Sequence, residues 1–374
     1  MKRTVRSMIL MLATALASTV VVTASSAEER DRPSDRMVNL GFEDIVGTAP
    51  EYLDSLAARL DAVDATAVSI SVGRTDWTAF PWPGDLGAAS SSVADTGRDY
   101  VAEAMAALGT ASDGTKRDVV LTVDVLLDRA LQETPSLAGR DVTGTSSTAF
   151  ASVSALRHGG AGTRLVRLAA FVAERYRPDA VDLTELMFDG FTFGSEDLRD
   201  FTATTGQQDW PRKSNGAIDQ TNPYIKTWRS EAVADIVRKV AAAVEPFGVR
   251  AEMDVRSPKK SATGDRADSG HDYDLLLKQL DRLHVWQYVG LNDERAPRTE
   301  ELASAMDRRA GPRMSLSLGL WSQDGIISAE TFAAALEDAV RGGATSVSVT
   351  PASLMTEDHW DVLEAAWADQ GSPP

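Results

Sequence analysis

The amino-acid sequence predicts an α/β protein with a single-domain (βα)8 fold, the TIM barrel. Short runs rich in Val, Ile and Leu alternate with longer amphipathic runs rich in Ala, Leu, Glu and Arg. There are eight short runs, the number of strands that such a barrel requires. The first strand, in "LGFEDIVG", lacks the glycine-rich turn of a doubly wound open sheet. No linker or low-complexity tract interrupts the pattern, so one domain is expected.

The predicted strands follow one another along most of the chain. They begin near Met37, Ala67, Asp118, Ala180, Val249, Leu283, Met314 and Thr345. Helical periodicity lies between them, for example in "APEYLDSLAARLDAVD", "TRLVRLAAFVAERY", "WRSEAVADIVRKVAAAVEPFG" and "SAETFAAALEDAVRGG". The spacing leaves long loops after strands three and four.

The amino terminus has the layout of a signal peptide, which we assign to residues 1–27. Lys2, Arg3 and Arg6 precede an apolar run that ends in small residues. Thr14 and Ser18 interrupt this run, which is also short for a membrane anchor. We therefore expect a flexible segment at 28–36, a barrel at 37–370, and a protein that is secreted to the cell envelope or the medium, with no membrane association after cleavage.

Composition narrows the possible partners. The formal net charge is −17, so nucleic acid and anionic lipid are disfavoured as ligands. There is no cysteine, and the exported chain, which cleavage would shorten to residues 28–374, must then be held by its core. His158, His271, His284 and His359 are dispersed, and no Ser nucleophile elbow occurs. We expect a monomer that uses no metal and no cofactor.

The strands carry polar residues where a barrel interior is expected. Side chains alternate between the helix layer and the interior. In the eighth strand Val347 and Val349 would face helices while Ser346, Ser348 and Thr350 face inward; the second and seventh strands alternate in the same way. A purely structural barrel favours bulky branched residues there. The pattern indicates a lined cavity near one end.

Carboxylates collect at the carboxyl ends of the strands, where barrels of this class carry their active sites. The candidate catalytic residues are Asp124, Glu185, Asp189 and Asp254. The candidate substrate-binding residues are Glu43, Arg74, Asp76, Trp77, Glu252, Arg256, Tyr288 and Trp321. In the fifth strand, Glu252, Asp254 and Arg256 share a face, and a structural ion pair of either acid with Arg256 is the alternative interpretation.

Aromatic residues accompany these acids. Five of the eight tryptophans lie at or after predicted strand ends: Trp77, Trp82, Trp210, Trp286 and Trp321. Aromatic faces beside carboxylates suit sugar rings, which combine apolar C–H faces with hydroxyl edges. The alternative is that these rings only cap the barrel.

From residue 133 onward the order of motifs resembles the bacterial glycosyl hydrolase-like families whose barrels are similar to family 10 glycosidases. The matching stretches are "ETPSLAGRDVTGTSSTAFASVSALRHGG", "ERYRPDAVDLTELMFDGF", "WRSEAVADIVRKVAAAVEPFGVRAEMDVR" and "YDLLLKQLDRLHVWQYVG", about 160 residues in all. The resemblance implies a barrel that acts on carbohydrate, and known members include exported proteins. Family 10 enzymes carry a Glu at the ends of strands four and seven, whereas strand seven here ends in Trp321.

These observations lead to the hypothesis of an exported glycoside hydrolase acting on a polysaccharide or oligosaccharide. Glu185 would be the general acid and Asp254 the second carboxylate, with Asp124 and Asp189 as substitutes. Arg74 and Tyr288 would hold hydroxyls or orient the acids, and Trp77 and Trp321 would stack on rings. A non-catalytic extracellular carbohydrate-binding protein is the alternative.

One question of register stays open in the sequence. By strict alternation Glu185 shares a face with Val181 and Leu183, so it reaches the cleft only if the strand ends or bulges there. Otherwise Asp182 and Thr184 face inward and Glu185 does not.

Overall fold

The computed structural model of the chain describes residues 32–292 and 297–368. Eight parallel strands form a closed barrel in sequence order, because the first strand pairs with both the second and the last. They are β1 (Asp35–Leu40), β2 (Ala67–Arg74), β3 (Asp118–Asp124), β4 (Ala180–Thr184), β5 (Arg250–Arg256), β6 (Arg282–Gln287), β7 (Met314–Gly319) and β8 (Ser346–Thr350). The predicted (βα)8 fold in one domain is thereby confirmed.

A helix follows each strand and covers the outside of the barrel. The eight are α1 (Pro50–Ala62), α2 (Tyr100–Leu108), α3 (Gly160–Tyr176), α4 (Pro223–Val244), α5 (Tyr273–Leu276), α6 (Thr299–Ala310), α7 (Ala329–Arg341) and α8 (Glu357–Trp367). Their apolar faces pack on the outward residues of the strands in one continuous core. Within the described residues, no helix combines the length and the apolar character that a membrane span requires.

The barrel interior is apolar at one level and polar above it. Met37, Ala67, Val120 and Ala180 form a small apolar cluster of their own. Beyond them the inward positions are buried but polar: Ser69, Thr122, Asp182, Glu252, His284, Ser315, Ser317 and Ser348. Because buried polar groups are costly without partners, this interior is built for more than packing.

The amino-terminal part of the described chain is anchored. β1 begins at Asp35, two residues before the expected start of the barrel. Arg36 is buried and its guanidinium bonds both the Asp64 carboxylate, at 2.8 Å, and the Asp64 carbonyl, also at 2.8 Å. The expected signal peptide and residues 28–31 lie outside the described residues, as do the last residues of the expected domain.

The long loops expected after strands three and four are present, and a third follows β2. The loop after β3 holds a helix at Asp128–Glu133, a hairpin of Ala138–Arg140 with Ser146–Ala151, and a helix at Val153–Arg157. The loop after β4 holds a helix at Ser195–Thr205. The unexpected loop after β2 holds a short strand at Trp77–Thr78 and helices at Leu86–Ala88 and Ser91–Thr96.

The hairpin is docked on the loop after β4. The Phe193 amide donates to the Arg140 carbonyl at 2.8 Å. A Cβ on Gly139 would lie 2.1 Å from the Phe191 carbonyl oxygen, so only glycine permits this approach. The two loops therefore form one wall at the carboxyl end of the barrel.

We predict that Gly162→Ala strongly destabilises the protein and that Gly160→Ala does not. Both glycines are in the first turn of α3, but a Cβ at Gly162 would lie 1.7 Å from the backbone oxygen of Leu156, whereas nothing lies within 4 Å of one at Gly160. Overpacking against backbone should lower the free energy of unfolding by about 2 to 3 kcal/mol. The change at Gly160 should stay within about 1 kcal/mol. Urea denaturation measures both, and equal stabilities would contradict the close packing of α3 on Val153–Arg157.

Candidate active site

Charged side chains meet at the carboxyl ends of β2 to β5. The carboxyl group of Glu185 interacts electrostatically with Asp124 and Asp254 and with the guanidinium groups of Arg74 and Arg256. These residues come from four successive strand ends. The structure thus brings together five of the residues that the sequence singled out, and we call this group the mouth cluster.

Glu185 enters the mouth cluster through a break in strand geometry. β4 ends at Thr184, and Glu185 has φ of +61°, a left-handed conformation that costs a side-chain-bearing residue about 1 kcal/mol or more. Alternation therefore stops at Thr184, so Asp182 faces inward and Glu185 also reaches the mouth. The strand thus ends before Glu185, which is the first of the two alternatives that the sequence posed.

The environment of Glu185 favours its protonated form. Burial, followed by the negative charges of Asp124 and Asp254, raises its pKa to about 7, and Arg256 and Arg74 only partly oppose this. A carboxyl group with this pKa is protonated in about half of the molecules at neutral pH, as a general acid must be.

Asp124 is fixed by Arg74. The Arg74 Nε donates to Asp124 Oδ2 at 2.7 Å, and its Nη1 lies 3.2 Å from Asp128 Oδ2. The other oxygen of Asp124 accepts the Leu126 amide at 2.8 Å. Burial nevertheless outweighs these partners and raises the pKa of Asp124. Arg74 therefore orients the acid and also supplies positive charge to the mouth.

Asp254 and Asp182 lie on the inner faces of β5 and β4. Asp254 keeps partial access to solvent, and the polar groups of Thr184 and Trp286 act to lower its pKa. Asp182 is buried, and one of its buried oxygens has no hydrogen-bond partner among the described residues. The hydroxyl of Thr122, which acts to lower the pKa of Asp182, lies 2.7 Å from that of Ser69. Burial raises the pKa of each, and the charge of Asp254 raises that of Asp182 further. The two acids compete for ionisation.

Glu252 does not reach the mouth, contrary to its expected role in substrate binding. One of its oxygens lies 2.9 Å from His284 Nε2 and the other accepts Arg250 Nε at 3.1 Å, and its side chain is fully buried. These partners lower the pKa of Glu252 to about 2 against the effect of burial. The hydrogen bond and the negative charge of Glu252 in turn raise the pKa of His284 to about 9, although burial opposes this. An ion pair is therefore present, but with His284 and Arg250 in place of Arg256.

Arg256 pairs instead with Asp189, which lies further along the loop after β4. Asp189 also accepts a hydrogen bond from Ser269. The Asp189 carboxylate thus has two partners of its own, and it is not among the groups that act most strongly on Glu185. It is placed less favourably than Asp254 or Asp124 for a reaction beside Glu185.

Two further candidates have local structural contacts. The Asp76 carboxylate is buried and accepts the Ala130 amide at 2.8 Å, which holds the first turn of the helix Asp128–Glu133. Glu43 is exposed on the helix Phe42–Ile45 and accepts the Ser353 hydroxyl at 2.8 Å. Asp76 shapes the wall and Glu43 lies on the rim between β1 and β8.

Half-buried aromatic rings border the mouth cluster. Tyr288 packs against Trp286, with ring centroids 5.4 Å apart, and against Trp321, at 5.2 Å. A Cβ on Gly319 would lie 2.2 Å from the Tyr288 ring, so glycine provides the space for this ring. Burial and the carboxylates of Asp254 and Glu185 raise the pKa of Tyr288. Its hydroxyl therefore remains a neutral donor near both acids.

A second aromatic pair lies after β1 and β2. Trp77 packs edge-on against Phe42, with centroids 4.7 Å apart. The mouth thus has aromatic surface on two sides, one from β6 and β7 and one from β1 and β2, with carboxylates between them. Trp77, Tyr288 and Trp321 are all half-buried and present ring area to the opening.

Sequence reasoning missed His284 and gave Asp182 and Trp286 no assigned role. A signal was available on β6, where Arg282, His284 and Trp286 alternate with Leu283, Val285 and Gln287. Applying to β6 the alternation used for β8 would have placed His284 and Trp286 inside. Across residues 32–292 and 297–368, no three His, Cys, Asp or Glu side chains are arranged to hold a metal ion.

The fold is similar to those of several solved carbohydrate-active enzymes. The PgaB (BpsB) glycoside hydrolase domain from Bordetella bronchiseptica matches with a TM-score of 0.67 at 14% identity, covering 90% of this chain and 99% of that one. The catalytic domain of β-amylase from Paenibacillus polymyxa matches with 0.63 at 12%, covering 91% and 100%. A chitinase from Chromobacterium violaceum matches with 0.50 at 10%, covering 90% and 100%.

No family model matches the chain, and neither does any curated protein sequence. At such low identities the structural similarity establishes the barrel fold alone. The resemblance to family 10 stays a prediction.

We predict that His284→Gln removes a pH-dependent part of the stability. A histidine with its pKa raised from 6.5 to about 9 stabilises the fold fully below pH 6.5 and loses this contribution as the pH rises through 9. The free energy of unfolding should therefore fall between these pH values by on the order of 3 kcal/mol more in the parent than in the variant.

His359→Gln is the matched control, because His359 is also buried but contacts the Ile327 carbonyl, at 3.0 Å, and no carboxylate is among its hydrogen-bond partners. It should retain the parental decline. Parallel pH curves for the parent and His284→Gln, measured by denaturant unfolding, would show that the Glu252–His284 pair is not ionised as described.

Proposed function

We propose that the protein is an exported glycoside hydrolase that cleaves a polysaccharide or oligosaccharide. The observation that carries the proposal is the position of Glu185, a carboxyl group with its pKa raised to about 7 that is turned into the mouth beside Asp254. Glycoside hydrolysis needs one protonated and one ionised carboxyl group near the scissile bond. The bordering aromatic rings are suited to sugar faces.

Glu185 would act as the general acid. Its proton goes to the glycosidic oxygen as the bond from that oxygen to the anomeric carbon breaks, so the leaving sugar departs as an alcohol. The left-handed backbone at Glu185 directs the carboxyl group into the cleft, and the loop that follows it is held by the docked hairpin.

Asp254 would be the second carboxylate. It stabilises positive charge at the anomeric carbon and either attacks that carbon or takes a proton from an attacking water. Burial raises the pKa of Asp254, but the charge of His284 and the polar groups of Thr184 and Trp286 oppose this and favour its ionised form, and these groups are not among those that act on Glu185. Different environments thus separate the roles of two adjacent acids.

The remaining residues would hold the substrate. Arg74 orients Asp124 and donates to sugar hydroxyls, and the neutral Tyr288 hydroxyl does the same from the opposite side. Trp77 and Trp321 would stack on rings. The names of the structural neighbours support this reaction class, since they include a glycoside hydrolase domain, a β-amylase and a chitinase. The sequence of residues 1–27 supports export.

The proposal predicts that Glu185→Gln and Asp254→Asn abolish hydrolysis. Each should lower the rate by about a thousandfold, because neither amide can donate an acidic proton or carry negative charge. The measurement is reducing-end release by residues 28–374 from a panel of bacterial and plant polysaccharides. Glu51→Gln and Asp54→Asn make the same chemical changes on the exposed face of α1 and should leave activity unchanged.

Full activity in either mouth variant would overturn the assignment of that residue. If the unaltered protein binds oligosaccharides but releases no reducing ends from any polysaccharide, the non-catalytic carbohydrate-binding function replaces the proposal.

The proposal also predicts the pH dependence of kcat/KM. A general acid with a pKa of about 7 loses its proton as the pH rises, so kcat/KM should fall about tenfold per pH unit above pH 7. Asp124→Asn removes one of the charges that raise this pKa and leaves Arg74 with Asp128 as its remaining carboxylate partner, so the alkaline limb should move to lower pH. An alkaline limb at the same pH in Asp124→Asn and in Asp54→Asn would contradict the role of Glu185.

A further inference from the structure

A cavity of about 230 Å³ lies beside the mouth cluster, between the two docked loops. Its walls include Phe150 of the hairpin, Met187, Asp189 and Phe191 of the loop after β4, and Arg256 at the end of β5. None of these residues except Asp189 and Arg256 was a candidate from the sequence. The cavity opens to solvent where the two loops leave Phe150 and Phe191 half-buried.

The cavity adjoins the proposed active site through Arg256. Arg256 lines it and also acts electrostatically on Glu185. The chain itself passes from one to the other, since the Met187 amide donates to the Glu185 carbonyl at 3.1 Å and residues 187–192 then form the cavity wall. A chain-like substrate with one ring at Glu185 would extend into this space.

The apolar side of the cavity is an aromatic shelf. The rings of Phe150 and Phe191 are nearly parallel, with an angle of 11° between their planes, and their centroids lie 6.1 Å apart. At this distance they form an offset stack, in which part of each ring face is left uncovered by the other ring. The C–H face of a sugar ring packs well on such a surface.

The polar side of the cavity offers hydrogen-bonding groups to the hydroxyls of a sugar. The Asp189 carboxylate and the Arg256 guanidinium are paired, yet both retain exposure, 43% and 33% of their side chains. A guanidinium has five N–H donors and a carboxylate four acceptor positions, so donors and acceptors remain for a ligand. Each hydroxyl of a sugar both donates and accepts hydrogen bonds, so a sugar needs acceptors and donors side by side.

We propose that this cavity is a sugar-binding subsite that holds a further ring of the same saccharide chain, stacked on Phe150 and Phe191 and hydrogen-bonded to Asp189 and Arg256. The inference rests on the proposed function and adds to it that the substrate extends beyond the ring at Glu185. Phe150 then contributes to affinity for long chains although it lies in a hairpin remote in sequence from the acids.

The structure offers a variant that fills the cavity without disturbing its walls. Gly190 lines the cavity, its φ is not in the left-handed region, and nothing lies within 4 Å of the position of a Cβ. Gly190→Leu therefore adds a large side chain to the cavity wall without a clash at its Cβ, and we expect it to obstruct sugar binding. Gly160→Leu is the matched control, because Gly160 has the same two properties and lies at the exposed start of α3.

Binding is measured by calorimetry in the Glu185→Gln background, so that no ligand is consumed. The probes are cello-, malto-, xylo- and chito-oligosaccharides from disaccharide to hexasaccharide. For one of these oligosaccharide series we expect the affinity to rise with chain length. The sugar ring that enters the cavity should increase the affinity about tenfold. Gly190→Leu and the double variant Phe150→Ala/Phe191→Ala should remove this gain, while Gly160→Leu and Tyr224→Ala, an exposed aromatic on α4, should keep it.

The outcomes separate the subsite from the function. If the parent hydrolyses a polysaccharide but Gly190→Leu shows the parental rise of affinity with length, the subsite is wrong and the proposed function stands. If the phenylalanine variants lose thermal stability with unchanged affinities, the rings only join the two loops and the subsite is again wrong. If the parent neither hydrolyses nor binds any saccharide, both proposals fail.

Discussion

The cost of burying carboxylates constrains the architecture of this barrel. Glu252, Asp182 and Asp254 lie on adjacent strands inside it, and an ionised acid in such a place needs a partner. His284 and Arg250 satisfy Glu252, which stays ionised. The charge of His284 acts on both Asp182 and Asp254 but only partly opposes the effect of burial, and the negative charge of Asp254 favours the protonated form of Asp182. The interior can therefore hold protons close to the mouth.

The same electrostatics connect the interior to the proposed chemistry. The charge of Asp254 acts on Asp182 below it and on Glu185 and Tyr288 at the mouth. Arg74 and Arg256 limit the accumulation of negative charge from either side. Each acid thus has a distinct balance of burial, hydrogen bonds and neighbouring charge. Carboxyl groups can then differ in protonation state at one pH, as a proton donor and an ionised carboxylate must.

Backbone geometry and loop docking determine which acids are available. Glu185 reaches the mouth only through its left-handed conformation at the end of β4, and such a conformation persists only where the surroundings hold it. The hairpin after β3 packs on the continuation of that chain through Gly139 and Arg140. The long loops are therefore part of the site, and they enclose the cavity next to it.

Local sequence patterns were sufficient to predict the order of strands and helices, the polar inner faces of β2, β7 and β8, and the gathering of acids at the carboxyl ends of the strands. Each follows from local periodicity, which the backbone imposes on every strand and helix. The tertiary structure alone decided that Glu185 turns inward, that Glu252 pairs with His284 and Arg250, that Arg256 pairs with Asp189, and that Asp76 supports a helix. These outcomes depend on residues distant in the chain and on one backbone angle, and no local pattern encodes them.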